Sequence, residues 1–216
     1  MSVVPLFAHD PITTKLTWTQ EISRLVYKRC ASCHREGGAA MSLTTYADAR
    51  PWAKAIRDEV LARRMPPWGP VKGVGHFADD PSLSLPEIDM FVSWVEGGAP
   101  EGDPALLPSK VPSAAAMPAP LRAGREVQVN QSLVLDRAIT VDGLRPTGLQ
   151  DNQSLEAWVT MPDQSIERLI WLKEHRSLWP QEYRLQAPLH LARGTRVDVR
   201  TAPGASLTLL CDGPKK

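Results

Sequence analysis

The chain has 216 residues, 43% of them hydrophobic, and its 25 Lys and Arg nearly balance 24 Asp and Glu for a net charge of +1. That length holds two modest domains, each with its own core. The even balance, with no basic stripe, speaks against a nucleic-acid binder, and the lack of any apolar run of about 18 residues speaks against a transmembrane segment.

The first predicted element is a helix. Thr17 is placed to cap it, with Gln20 three residues on, and Ile22, Leu25 and Val26 form an apolar stripe. It leads into Cys30-Ala31-Ser32-Cys33-His34, a C-x-x-C-H. Two thiols at this spacing on a helical turn match the separation of the porphyrin vinyl groups. The adjacent histidine then offers an imidazole nitrogen to the iron. A thioredoxin-like redox pair would want a strand before the motif and a helix after it, but here Arg35-Glu36-Gly37-Gly38 breaks the chain. A zinc site would want a second pair of ligands at similar spacing, which the sequence lacks. The motif predicts one covalent haem c held by Cys30 and Cys33, with His34 on the iron.

A second helix is predicted from about Asp48, with Pro51 in its first turn, through Ile56 and Val60 to Arg64. Met65 follows it and precedes Pro66-Pro67-Trp68. The two prolines stiffen the exit, so Met65 is the foremost candidate for the second axial ligand. His76 on a glycine-rich loop, or an open iron site, are the alternatives, while Met41 stands too near Cys33 to reach across a ring. Ser84-Leu85-Pro86-Glu87 starts a third helix, whose Ile88, Phe91, Val92 and Val95 recur at helical spacing before Gly97-Gly98. It is expected to pack on the helix leading to Cys30. Trp94 beside that stripe is either a porphyrin contact or a core residue.

These stretches together resemble a family of bacterial monohaem cytochromes c. The likeness is carried by residues 30–38, by Met41-Ser42-Leu43-Thr44-Thr45-Tyr46, by Ala49-Arg50-Pro51-Trp52-Ala53-Lys54, by Arg64-Met65-Pro66-Pro67-Trp68 and by the stretch from Leu83-Ser84-Leu85 through residues 94–100. It is dense over about 15–104 and weak over about 125–212. The resemblance implies that Cys30 and Cys33 carry the haem and that His34 and Met65 are its axial ligands. It also implies a second domain similar to the β-sandwich of copper type II ascorbate-dependent monooxygenases. The echoes there are residues 158–163 and 169–172, Tyr183, and Gly194-Thr195-Arg196.

From Ala99 to Gly124 proline, alanine and serine predominate, as in a semi-rigid spacer. Beyond Arg125 the hydrophobic period becomes two, at Val127 and Val129, Leu133 and Leu135, Ile139 and Val141, Leu155, Ala157 and Val159, and Val197 and Val199. Asp142-Gly143, Pro162-Asp163, Arg193-Gly194 and Pro203-Gly204 read as turns between the strands. A copper centre in this half would have only His175, His190, Met161 and Cys211 to draw on, unpaired and with no ligand after the cysteine. Copper is therefore not expected, and Cys211 reads as a small buried hydrophobe in the last strand.

The sequence thus predicts an α + β multidomain chain. An amino-terminal all-α cytochrome c-like domain spans 15–100, a Pro/Ala-rich linker 101–124, and an all-β sandwich 125–212. The expected function is single-electron transfer through one His/Met-ligated haem, a carrier rather than a catalyst. The alternatives are a haem-coupled copper monooxygenase-like enzyme, or a binding module that docks the haem domain to a redox partner. A redox partner protein of unspecified kind is implied. Covalent haem attachment implies a periplasmic or otherwise exported protein, although residues 1–9 lack the charged start and apolar core of a signal peptide.

Overall fold

The computed structural model describes residues 15–78, 80–108 and 119–212. They fall into two compact units. The described residues of the first lie within 15–66 and 81–108, and those of the second within 67–80 and 119–212.

In the first unit Thr17 accepts a hydrogen bond from the Gln20 amide. The side chain that returns the bond to the Thr17 amide is Glu21, at 2.9 Å, not Gln20. The reason is local. The opening turn, Trp18–Ile22, is a π-turn in which Ile22 N–H bonds Thr17 O, and the extra residue moves the returning side chain one place along. Helix α1 (Ser23–Arg29) follows. Helix α2 (Tyr46–Ala49) runs through a 3₁₀ turn at Arg50–Trp52 into α3 (Ala53–Leu61), with Pro51 where its missing N–H costs little. Helix α4 (Leu85–Glu96) begins with a complete Ser84–Glu87 capping box. It buries Ile88, Phe91 and Trp94 against a core that includes Trp18, Ile22, Leu25 and Val26. The Arg29 guanidinium donates to both Glu87 oxygens, at 3.0 and 3.2 Å, tying α1 to the start of α4. Trp94 is a core residue. It is fully buried, 6.1 Å from the Trp18 ring, and donates its indole N–H to Pro100 O at 3.0 Å. Residues after α4 fold back on this unit, where Trp18 and Thr19 amides bond Pro100 and Glu101 carbonyls.

The second unit contains two four-stranded antiparallel sheets, ordered β1-β8-β3-β6 and β2-β7-β4-β5. The strands are β1 (Arg125–Val129), β2 (Ser132–Val134), β3 (Ile139–Thr147), β4 (Leu155–Thr160), β5 (Ile166–Leu172), β6 (Tyr183–Leu191), β7 (Arg196–Thr201) and β8 (Ser206–Cys211). Alternate residues of both sheets, among them Val127, Val141, Leu144, Val159, Ile170, Val197 and Leu209, share one buried core. Asp142-Gly143 is not a turn. It lies inside β3 at a register shift, where a Cβ on Gly143 would collide with the Leu121 side chain.

Residues 67–78 belong to this unit although they precede its strands in the chain. They pair with one end strand of each sheet. Pro70 bridges Leu172 on β5, with Val71 N–H donating to Trp171 O at 2.8 Å. Phe77 bridges Leu185 on β6, with Ala78 N–H donating to Arg184 O at 3.0 Å. Trp68 stands edge-on to Tyr183 at 5.3 Å and to Phe77 at 5.9 Å. Gly69 has no room for a side chain, since a Cβ there would lie 2.7 Å from the Tyr183 hydroxyl and 2.8 Å from Leu172.

The expected fold class is corrected. The amino-terminal region is not an all-α cytochrome c-like domain, because its helices α1 to α4 have only 7, 4, 9 and 12 residues and much of the chain between them is irregular. Glycines at 37, 38, 69, 73 and 75 and prolines at 66, 67 and 70 forbid or disfavour long helices there. The chain instead joins short helices to a strand-rich region of two antiparallel sheets. No helix among the described residues is long and apolar enough to cross a membrane.

Cutting the chain at a protease site engineered into 109–118 is expected to give two fragments that co-purify under native conditions. The amino-terminal fragment keeps residues 67–78, which remain inserted in the second unit. Urea should separate the fragments, and size-exclusion chromatography before and after urea checks this.

Candidate functional site

Helix α1 ends at Arg29, and the next turn carries the motif. Cys30 N–H donates to Val26 O at 2.8 Å, while Cys30 O accepts from Cys33 N–H at 3.1 Å and His34 N–H at 2.9 Å. Cys30, Cys33 and His34 thus lie on one closed turn. The chain then doubles back. Ala40 N–H donates to Cys33 O at 3.1 Å and Leu43 N–H to His34 O at 3.2 Å. Gly37 supplies the positive φ of 67° for this reversal. Gly38 passes so close to the Cys33 carbonyl that a Cβ would collide with it.

The reversal brings Met41 O to 3.0 Å from His34 Nδ1. A carbonyl oxygen only accepts, so Nδ1 carries a proton, and in the neutral ring the lone pair is on Nε2. A backbone carbonyl that fixes the tautomer is the usual partner of a metal-ligating histidine. Sequence reasoning missed this role for Met41. No side-chain signal marks it, since any residue supplies the same carbonyl.

Both cysteines are free and, as whole residues, half-exposed. Cys30 packs against the first core, and this burial pushes its thiol up to about 12, the Arg29 charge pulling it partly back. A nucleophilic redox thiol needs a lowered value, the opposite of what burial does to Cys30. The donor set, two unpaired thiols and an oriented imidazole on one turn, fits covalent haem attachment. Trp52 and Met41, both 46% exposed, are large apolar side chains of the same unit left in the open.

Met65 lies in the first unit, half-buried, after α3. The helix stops at Leu61 rather than Arg64 because Arg63 turns to a φ of 54°. Arg64 N–H still reaches Glu59 O at 2.9 Å, and its guanidinium pairs with the Glu59 carboxylate. Those contacts hold the chain one residue before Met65. His76 belongs to the second unit, where its carbonyl accepts from Gln186 N–H at 2.8 Å and it lines a cavity of about 340 Å³ with Trp68, Phe77 and Gln186.

The residues weighed for copper are dispersed through the second unit. His190 on β6 is exposed and bonds Thr140 at 3.0 Å, Cys211 is buried in β8, and Met161 sulfur accepts from the Thr195 hydroxyl at 3.7 Å. No group of three or more His, Cys, Asp or Glu able to hold a metal ion lies among the described residues. His175 is buried against Trp179, ring centroids 5.5 Å apart, with Nδ1 lacking a hydrogen-bond partner.

No family model matches the chain, and no curated protein matches it. Among solved structures it is similar to the core of Drosophila NLP, described in terms of pentamer formation and histone binding. The identity is 10%, over 42% of this chain and 97% of that one, with a TM-score of 0.30. A likeness at that level carries no argument about this chain.

Burial holds the His175 ring below its ordinary value of 6.5, with the Asp151 carboxylate opposing the shift. The unfolded chain then takes the proton first as pH falls. The contribution of this group is complete above about 6.5 and is lost below it. The stability gap between pH 7.5 and pH 5, read as the urea midpoint, should therefore be smaller in His175→Gln than in the parent. An equal gap in both would show that His175 is not the group responsible.

Proposed function

We propose that this chain is an exported c-type cytochrome that carries single electrons through one haem. Cys30 and Cys33 would hold the haem by thioether bonds, and His34 and Met65 would be the side chains that ligate its iron. The observation that carries the reading is the attachment turn itself, where the two thiols and His34 share one turn and the Met41 carbonyl orients the imidazole. When bound, haem supplies the ferric–ferrous couple, and a His/Met ligand pair raises its potential.

The chain's own residues do the rest. The Arg35–Ala40 reversal sets the histidine ring, and the hydrogen bond from Nδ1 to the Met41 carbonyl makes Nε2 the nitrogen for the iron and a better donor. Pro66 and Pro67 restrict the backbone on the far side of Met65. The second unit has no assigned metal in this reading. A carrier of this kind hands its electron to a partner protein, and the periplasm, where c-type haem is attached, is the compartment that fits.

Haem in the matured protein is expected to stay with the polypeptide through acid–acetone extraction, and Cys30→Ser or Cys33→Ser to weaken or abolish that retention. The ferric protein should show a weak sulfur-to-iron charge-transfer band that disappears in Met65→Ala while the haem stays attached. Colour passing into the organic phase would rule out thioether attachment.

A further inference from the structure

In the second unit the connection between β3 and β4 is laced to the one between β5 and β6. Asn152 N–H donates to His175 O at 2.8 Å, and His175 N–H to Gln153 O at 2.7 Å. Glu174 N–H donates to Ser154 Oγ at 3.2 Å, and Ser177 gives its N–H and its hydroxyl to Asp151 Oδ1, at 2.7 and 2.5 Å. Lys173, Glu174, Arg176, Ser177 and Leu178 are exposed, so His175 is the residue that this stretch buries. Its ring meets Trp179 edge-on, and the Trp179 indole closes on Gly69, where a Cβ would lie 2.5 Å from it. His175 also borders a cavity of about 230 Å³ with Arg145, Thr147, Leu149, Pro180 and Gln181. Its Nδ1 is buried with no hydrogen-bond partner. A further proton makes both ring nitrogens donors on a charged group, and a buried charged donor without an acceptor is costly.

We propose that His175 is an acid-sensitive latch: when its ring takes a proton, the β5–β6 connection comes away from the β3–β4 connection and Trp179 leaves Gly69, while the two sheets stay folded. The charges around the ring give the cation little relief in place. The Asp151 carboxylate favours it, but its Oδ1 is already engaged by Ser177. Arg145, on β3 and on the shared cavity, carries the same sign as an imidazolium. The two carboxylates beside Arg145 are taken up by it, Glu182 accepting from Nε and Nη2 and Glu126 from Nη1. The chain neighbours Glu174 and Arg176 are exposed and opposite in sign, and Glu174 pairs with Lys173 at 3.8 Å. The cation is therefore relieved by moving the ring out to water. A connection held by a few hydrogen bonds opens at lower cost than the sheet ladders behind it. The latch lies wholly in the second unit and is independent of the haem reading.

The test uses the full chain, with amide exchange followed by NMR at pH 7.5 and pH 5 and each rate divided by the intrinsic rate at that pH. In the parent, opening at the Asn152, His175, Ser177 and Trp179 amides should rise at pH 5, by up to about 30-fold for a freed ring of ordinary value 6.5. The β8 amides paired with β3 should not respond. In His175→Gln, which has no proton to take, the same four positions should not respond either, the amide of Gln replacing that of His. If His175→Gln does not fold, Asp151→Asn decides. It keeps an oxygen for Ser177 and removes the charge that favours the imidazolium, so opening should need a lower pH than in the parent. No rise in the parent, or an equal rise in His175→Gln, would overturn the latch. So would a rise of the same size along β8, which marks unfolding of the whole unit, or an unmoved midpoint in Asp151→Asn.

Discussion

The second unit is governed by what happens at β5 and β6, one end strand of each of its sheets. β5 closes one sheet and β6 the other, and each would present unpaired backbone groups along one side. Residues 67–78 answer both edges at once, through Val71 on β5 and through His76 and Ala78 on β6. The same segment carries Trp68 and Phe77 to the Tyr183 ring, so edge pairing and core filling come from one stretch of chain. Gly69 lies where that stretch runs tight against Tyr183 and Leu172, and only a residue without a side chain fits there. Burial also pushes the Tyr183 hydroxyl up, and it has no hydrogen-bond partner, a cost accepted in exchange for the aromatic contacts.

The Cys30–His34 turn depends on irregular backbone for a related reason. Within a helix, a carbonyl is consumed by the amide four residues on. Met41 lies outside any helix, so its carbonyl remains available to His34 Nδ1. A longer helix after Cys33 would have removed that acceptor and carried the chain away from the imidazole. The break in helix after Cys33 and the orientation of His34 are thus two results of one feature, the Gly37-Gly38 reversal.

Local signals were the legible part of this sequence. The capping box at Ser84 and the strand positions Val127, Val129, Ala157 and Val159 are decided by neighbours within a few residues, and they lie in α4, β1 and β4. The C-x-x-C-H stood out because it fixes residue types at fixed spacing, and its two thiols and imidazole do lie on one closed turn. Helix lengths were not, since apolar periodicity at Ile56 and Val60 says nothing about where Arg63 leaves helical geometry. Asp142-Gly143 misled because a glycine admitted by close packing looks the same in sequence as one admitted by a turn. The partnership of residues 67–78 with β5 and β6 left no local trace. It is a pairing across roughly a hundred residues, and the segment's glycines and prolines read as a plain loop.

That long-range pairing bears on how the chain can be divided. A gene segment beginning at residue 119 would encode all eight strands, yet it would leave the outer sides of β5 and β6 bare and Tyr183 without its two aromatic neighbours. Bare edges of that kind recruit strands from other molecules. The two halves of this protein are consequently not interchangeable modules. Any rearrangement that keeps the sheets must also keep the short stretch that follows Met65, and with it the neighbourhood of Met65 itself.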